Sequence, residues 1–179
     1  MKNFTRSLAL ICLVSIAFTA CKKDKNKTNT PTGQGATVTA KNFGFDGAGG
    51  SSFTASAAGI VKVGPVFTIS AVRDNSTNAI SIVLYNITQP GTYTLDADNS
   101  DGNGAIISKN NTTPGDLSSN YSTGNSGGGN IGGGQVVITK LTATDAEGTF
   151  YITGYNNAGK AAFAEQGAFK GHVNTANIQ

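Results

Sequence analysis

The sequence contains no tryptophan, one histidine, one methionine and two cysteines among its 179 residues. With no second histidine, His172 has no imidazole partner for a metal ion, and it has no identifiable partner as a general base. Tryptophan is the strongest aromatic platform for stacking a sugar, so a surface of that kind would have to use tyrosine. Charged residues are also scarce, at 13% of the chain.

The excess of positive charge lies at the N-terminal end of the chain. Lys and Arg total 13 against 10 Asp and Glu, which gives a formal net charge of +3. Six of the basic residues lie within the first 27, and residues 28–179 hold seven basic and nine acidic residues. A nucleic-acid interface needs basic side chains gathered on one face, so we expect no nucleic-acid partner.

The first 21 residues have the pattern of a secretory signal. Lys2 and Arg6 precede an apolar run over residues 8–20, which is too short for a bilayer that takes about 20 helical residues to cross. The run ends in Phe18-Thr19-Ala20-Cys21, which resembles the lipobox of bacterial lipoproteins. The resemblance implies a signal peptide over 1–20 and palmitate or a related lipid on Cys21, with an ordinary cleaved signal as the alternative.

Residues 21–35 are expected to form the lipidated cysteine and a flexible polar tether, because nothing in this segment could bury apolar surface. Cys12 leaves with the signal and Cys21 carries lipid, so the folded domain at 36–179 has no cysteine. That excludes a disulfide, a thiolate nucleophile and a cysteine-ligated metal. The protein is thus expected to be exported and anchored to a membrane through its lipid, the outer membrane being favoured.

Composition and periodicity predict an all-β fold. Only four leucines follow the signal, and apolar residues alternate with polar ones instead of recurring at helical spacing, as in Phe67, Ile69 and Ala71. We expect an antiparallel sandwich or a partly open barrel of about 8–10 short strands, with a Gly/Asn/Ser-rich loop at about 110–134. The expected strands are 36–45, 53–57, 60–63, 67–72, 80–85, 91–97, 134–144, 148–155, 160–164 and 168–173, with a hairpin turn at 156–159. In three Gly-x-aromatic triplets, which begin at Gly91, Gly148 and Gly167, the glycine is expected to turn the chain into a strand.

Five segments occur in the order FDGAGGSSFTA, GPVFTISAVRDNSTNAISIVLYN, QPGTYTL, VVITKLTATDAEGTFYI and QGAFKGHV. Over residues 41–173 this order resembles small Bacteroidetes-type surface lipoproteins, whose common domain has no assigned function. The resemblance implies an all-β lipoprotein domain and offers no catalytic residue. Exported members often have acidic residues after the lipidated cysteine, whereas Lys22, Lys23 and Lys25 surround a single Asp24 here. The choice between the surface and the periplasmic side therefore stays open.

One motif imitates a hydrolase. Ser126 stands in a G-x-S-x-G pattern, and Asp145 and His172 follow it in the order of the α/β-hydrolase triad. That chemistry needs a strand, a sharp elbow and a helix around the serine. Here the serine lies in a glycine-rich loop that precedes a strand, so a low-complexity loop is the better interpretation and no catalytic residue is assigned. A carboxylate pair of the glycosidase kind remains an alternative, with Glu147 and Glu165 the only glutamates.

Two groups of residues remain as candidate sites. Asp96, Asp98 and Asp101 form the densest oxygen cluster and could hold calcium, although the EF-hand spacing fails and a solvated turn is the alternative. Tyr151 and Tyr155 have the opposite parity to Phe150 and Ile152 in a predicted strand, so they are expected to face outward as a ligand surface.

The function expected from these features is a membrane-anchored, non-catalytic binding or accessory module of the cell envelope. Its ligand would be a glycan or a protein, its only cofactor candidate is calcium, and the oligomeric state is open. An envelope hydrolase that uses a carboxylate pair and a purely structural envelope lipoprotein are the alternatives.

Overall fold

The computed structural model describes residues 35–73, 77–113, 115–124 and 129–176. The predicted signal peptide, Cys21, nearly all of the predicted tether and Ser126 lie outside these ranges. Within them, no helix has the length and apolar character needed to cross a membrane.

The described residues form an all-β fold, as the sequence predicts. Eleven strands are found in the described ranges, one more than the upper end of the expected number. They are β1 (Thr37–Phe45), β2 (Ser51–Thr54), β3 (Ala57–Val63), β4 (Val66–Arg73), β5 (Asn78–Tyr85), β6 (Gly91–Thr94), β7 (Gly104–Ser108), β8 (Asn120–Ser122), β9 (Gly133–Leu141), β10 (Asp145–Tyr155) and β11 (Ala161–Ala176).

The strands belong to one hydrogen-bonded sheet that closes on itself like a ring. One group has the order β2-β1-β11-β10-β9-β6, and the other has the order β3-β4-β5-β7-β8. The long strand β11 pairs antiparallel with both β1 and β10, and its last four residues pair in parallel with β3. At the other side, Tyr155 of β10 is the partner of Ser122 on β8. This topology agrees with the predicted sandwich or partly open barrel, except that the parallel β11–β3 pairing makes the sheet mixed and not purely antiparallel.

A single core fills the space between the two groups. Phe67 and Ile82 from the second group and Phe150 and Phe169 from the first belong to the same cluster, and each is at most 4% exposed. Full burial of one such side chain stabilises the fold by about 1.5–3 kcal/mol. The alternation of large apolar residues with polar ones therefore fixes which face of each strand points inward.

The structure corrects the predicted strand list in two places. Strands β7 and β8 were not expected, and β8 lies inside the predicted loop at 110–134. The expected strands 160–164 and 168–173 are one strand, because the chain passes between them through a bulge at which Gln166 takes a positive φ of 49°. The predicted hairpin at 156–159 is confirmed, with the Asn156 amide donating to the Lys160 carbonyl at 3.0 Å.

The predicted role of two Gly-x-aromatic glycines was wrong. Gly148 and Gly167 lie inside β10 and β11 instead of at strand entries. Each is buried opposite a phenylalanine of the neighbouring strand, because Gly148 pairs with Phe169 and Gly167 pairs with Phe150. Both glycines thus make room for an aromatic ring on the next strand.

Candidate functional site

Strand β10 places Tyr151 on the outside of the sheet. Its flanking residues Phe150 and Ile152 are 4% and 0% exposed, whereas Tyr151 is 51% exposed. Successive side chains of a strand point to opposite faces, so packing of the two neighbours into the core forces the tyrosine ring outward. The predicted orientation of Tyr151 is thereby matched in the structure.

Polar side chains occupy register positions on both sides of Tyr151. Gln135 on β9 is its direct partner, and the β11 bulge, Glu165 and Gln166, lies on its other side. The Glu165 carboxylate accepts a hydrogen bond from Asn42 Nδ2 at 2.7 Å. An aromatic ring, two amides and an anchored carboxylate thus occupy one patch of the sheet.

Tyr155 lies on the same side of β10, four residues further on, which corresponds to about 13 Å along a strand. Between the two tyrosines is Thr153, with Gly133 and Phe163 as its partners on the neighbouring strands. Phe163 is half-buried, and Tyr155 is less exposed than Tyr151. We call this patch, made of Gln135, Tyr151, Thr153, Tyr155 and Phe163, the tyrosine face.

The tyrosine face is suited to binding an extended polar ligand. Tyrosine offers an apolar ring for stacking and a hydroxyl for hydrogen bonding, and amide side chains both donate and accept. The strand that carries both tyrosines is paired with β9 on one side and with β11 on the other, and the β11 bulge lies opposite Tyr151. Backbone pairing on both sides holds the two rings in place. Sequence reasoning missed Gln135 and Phe163, since their proximity arises from strand pairing and not from a local motif.

The three aspartates predicted to hold calcium do not converge. Asp96 Oδ1 accepts a hydrogen bond from the Gly134 amide at 3.2 Å, and the turn is closed by bonds between Asn99 and Asn103. Over the described part of the chain, no group of three or more His, Cys, Asp or Glu residues could hold a metal ion. The calcium site stays a prediction without support from the geometry.

Ser126 of the hydrolase-like motif lies outside the described residues, whereas Asp145, His172 and Gly124 lie within them. Asp145 and His172 are cross-strand partners at the start of β10. Gly124, two residues before Ser126, follows β8, which pairs with the far end of β10 at Tyr155. The length of β10 separates these ends, and eleven residues at about 3.3 Å each extend for more than 30 Å.

The two glutamates lie too far apart for a glycosidase pair. Glu147 forms an ion pair with Lys170, its partner on β11, at 3.4 Å. Glu165 is five residues away from Lys170 along β11, which is about 15 Å in a strand. Carboxylates of glycosidases stand about 5–9.5 Å apart.

A polar cluster around Asp46 has a structural role that the sequence did not reveal. Asp46 follows β1 with a positive φ of 59°, and its carboxylate accepts from Lys109 Nζ at 2.8 Å and from the Tyr121 hydroxyl at 2.6 Å. These hydrogen bonds hold the pKa of Asp46 below its ordinary value. Tyr121 is 1% exposed, and burial together with the Asp46 carboxylate raises the pKa of its hydroxyl well above the usual value. The cluster ties the turn after β1 to Lys109, which directly follows β7, and to Tyr121 of β8.

Comparison with curated proteins and with solved structures found no match. A family model described as "Domain of unknown function (DUF6252)" matches residues 47–171. The matched region begins next to Asp46 and contains the whole tyrosine face. Because the match covers well over half of the chain, this protein belongs to the DUF6252 family.

Proposed function

We propose that the protein is an exported, lipid-anchored binding module without catalytic activity, and that the tyrosine face holds its ligand. The ligand class is a glycan or an extended peptide segment of another envelope protein. The observation that carries the proposal is Tyr151, a large aromatic side chain that is half exposed in the middle of a well-paired strand.

The shape and chemistry of the tyrosine face support an extended ligand. Tyr151 and Tyr155 are about 13 Å apart along β10, so a compact ligand would contact one ring while an elongated one could contact both. Gln135 supplies both a donor and an acceptor beside Tyr151. Sugars and peptides both combine apolar faces with hydrogen-bonding edges and therefore match this arrangement.

The anchor is supported by the N-terminal sequence. A cationic start, an apolar run and the Phe-Thr-Ala-Cys sequence favour lipidation of Cys21. Thirteen residues lie between Cys21 and Gly35, and the fourteen steps from one to the other reach about 50 Å in an extended chain. The tyrosine face could therefore meet ligands well away from the membrane.

The binding role is tested with glycan and peptide arrays probed by the purified protein. A retained ligand should be lost in Tyr151→Ala and kept in Tyr85→Ala, which removes a half-buried tyrosine from a strand of the other group. Tyr151→Ala should leave the melting temperature nearly unchanged because the ring is exposed. Binding that is retained in Tyr151→Ala would show that the ligand does not bind at the tyrosine face. Turnover of a substrate would support the hydrolase alternative.

Lipidation is tested separately by labelling cells with radioactive palmitate. The wild-type chain should incorporate the label, and Cys21→Ala should not. Incorporation that persists in Cys21→Ala would contradict the anchor, while the binding experiment would remain interpretable.

A further inference from the structure

A cleft of about 540 Å³ opens at the end of the sandwich where β10 begins, away from Tyr155. Four segments meet there: the end of β3, the connection after β5, the turn between β9 and β10, and the end of β11. The lining residues are Lys62, Gly64, Thr88, Leu141, Thr142, Ala143, Val173 and Thr175. This volume lies within the range of about 300–1,000 Å³ that small-molecule sites occupy.

Lys62 stands at an unusual place in this cleft. Its direct partner on β4 is the fully buried Phe67, and two residues earlier Ile60 is also fully buried, so Lys62 lies on the core-facing side of β3. The side chain is half-buried, and Nζ donates to the Ile87 carbonyl at 3.1 Å. That bond uses one of the three donors of the ammonium group.

Among the residues that the structure describes, no carboxylate forms an ion pair with Lys62. The ion pairs between described residues join Asp46 to Lys109 and Glu147 to Lys170, and no carboxylate is among the residues that line the cleft. A partly desolvated ammonium is stabilised by an anion, so the cleft favours a negatively charged group beside Lys62.

The rest of the cleft favours an apolar body on the same ligand. Leu141, Ala143 and Val173 line the cleft and supply its apolar surface, with Val173 also part of the core. The Thr142 hydroxyl accepts from the Asp145 amide at 2.9 Å and is committed to its turn, whereas Thr88 and Thr175 are exposed at the cleft. A cleft with one cation and an apolar floor matches a ligand in which a single negative charge is joined to a short hydrocarbon chain.

We propose that this cleft is a second binding site, distinct from the tyrosine face, that takes a small amphipathic carboxylate with its charge on Lys62. Charge and hydrocarbon are recognised by different parts of the cleft. Binding should therefore require both halves of the ligand.

The probe is hexanoate, added to the isotope-labelled full chain while amide resonances are followed by NMR. Hexanoate should shift resonances of Leu141, Ala143 and Val173, and hexanol and acetate should bind at least about tenfold more weakly. Lys62→Met should weaken hexanoate binding about tenfold. Lys41→Met, which removes an exposed charge from β1, should leave it within twofold.

Lys62→Arg keeps the positive charge and should retain most of the affinity, which provides a second variant if Lys62→Met does not fold. The proposal is overturned if hexanoate causes no shifts around the cleft, if hexanol binds as well as hexanoate, or if Lys62→Met binds as tightly as the wild type. None of these outcomes bears on the tyrosine face, which is tested with its own variants.

Discussion

Phe150 on β10 packs against the backbone of Gly167, its direct partner on β11, and leaves no room there for a methyl group. The reverse pair lies two residues away, where Phe169 covers Gly148 and a Cβ atom on Gly148 would come within 2.7 Å of the ring. Two Gly-x-Phe triplets in antiparallel register therefore interlock, each glycine receiving the other strand's phenylalanine. The aromatic rings replace the side chains that the glycines lack.

Gly167→Ala should lower the free energy of unfolding by about 2–3 kcal/mol, because the added methyl group would overlap the buried Phe150 ring. The measurement is urea unfolding of the purified variant. Gly59→Ala is the matched control: Gly59 also lies in a strand, and a Cβ there meets no atom within 4 Å. The control should be neutral or slightly stabilising. Equal destabilisation by both changes would contradict the interlocking of rings and glycines.

Tyr121→Phe should destabilise the fold by about 1–2 kcal/mol. The change keeps the buried ring but removes the hydroxyl that donates to Asp46 at 2.6 Å, and hydrogen bonds to charged groups are worth more than neutral ones. Tyr155→Phe, on the outer side of β10, should change stability by less than about 0.5 kcal/mol. Urea unfolding of the two variants side by side decides this prediction.

Asp46 should make the protein sensitive to acid. Its pKa is lowered in the folded state by the Lys109 and Tyr121 hydrogen bonds, so its contribution is present above the ordinary value of 3.8 and is lost as the pH falls through the folded pKa. Asp46→Asn should be less stable than the wild type at pH 7, and the difference should shrink below about pH 4. Asp116, whose pKa is lowered by bonds from Ser118 and Ser119, should maintain some acid sensitivity in that variant.

An unchanged stability difference between pH 7 and pH 2.5 would contradict the role of Asp46. The measurement is the midpoint of urea unfolding of the wild type and of Asp46→Asn at several pH values. Of these proteins, the double variant with Asp46→Asn and Asp116→Asn should lose the least stability between pH 7 and pH 2.5.

Tyr121 should produce a loss of stability at the alkaline end. Burial, followed by the Asp46 carboxylate, raises the pKa of Tyr121 above its ordinary value of 10.0. A group whose pKa is raised on folding stabilises the fold fully below its unfolded pKa, and this contribution falls as the pH rises above about 10. Stability measured from pH 9 to 11.5 should therefore fall less steeply in Tyr121→Phe. Some slope should remain, because burial also raises the pKa of Tyr93.

The parts of the fold that could be predicted are those in which a strand carries its own signal. In β4 and β5, large apolar residues recur at every second position, as in Phe67 and Ile69 and in Ile80, Ile82 and Leu84. The prediction placed both strands within two residues of their ends. β8 has only three residues, and β7 follows an Asp/Asn-rich segment. Neither strand therefore shows a repeating apolar pattern that would indicate it in the sequence. Their pairing with β5 and with each other defines them.

The same distinction applies to the candidate site. The outward position of Tyr151 followed from strand parity within β10. The neighbours Gln135, Glu165 and Gln166 depend on which strands pair and on a bulge that resembles a turn in the sequence. The Asp46–Tyr121 bond joins residues 75 positions apart, and no local motif indicates it.

The pairing of β1 with β11 has a consequence for the order of folding. The first strand of the domain hydrogen-bonds to the last one, and β10 and β3 depend on that same last strand. A chain that emerges with its N-terminus first therefore holds its early strands without their partner until β11 has been synthesised. Such non-local pairing is slow, and it makes the arrival of β11 the event that commits the domain to its native state.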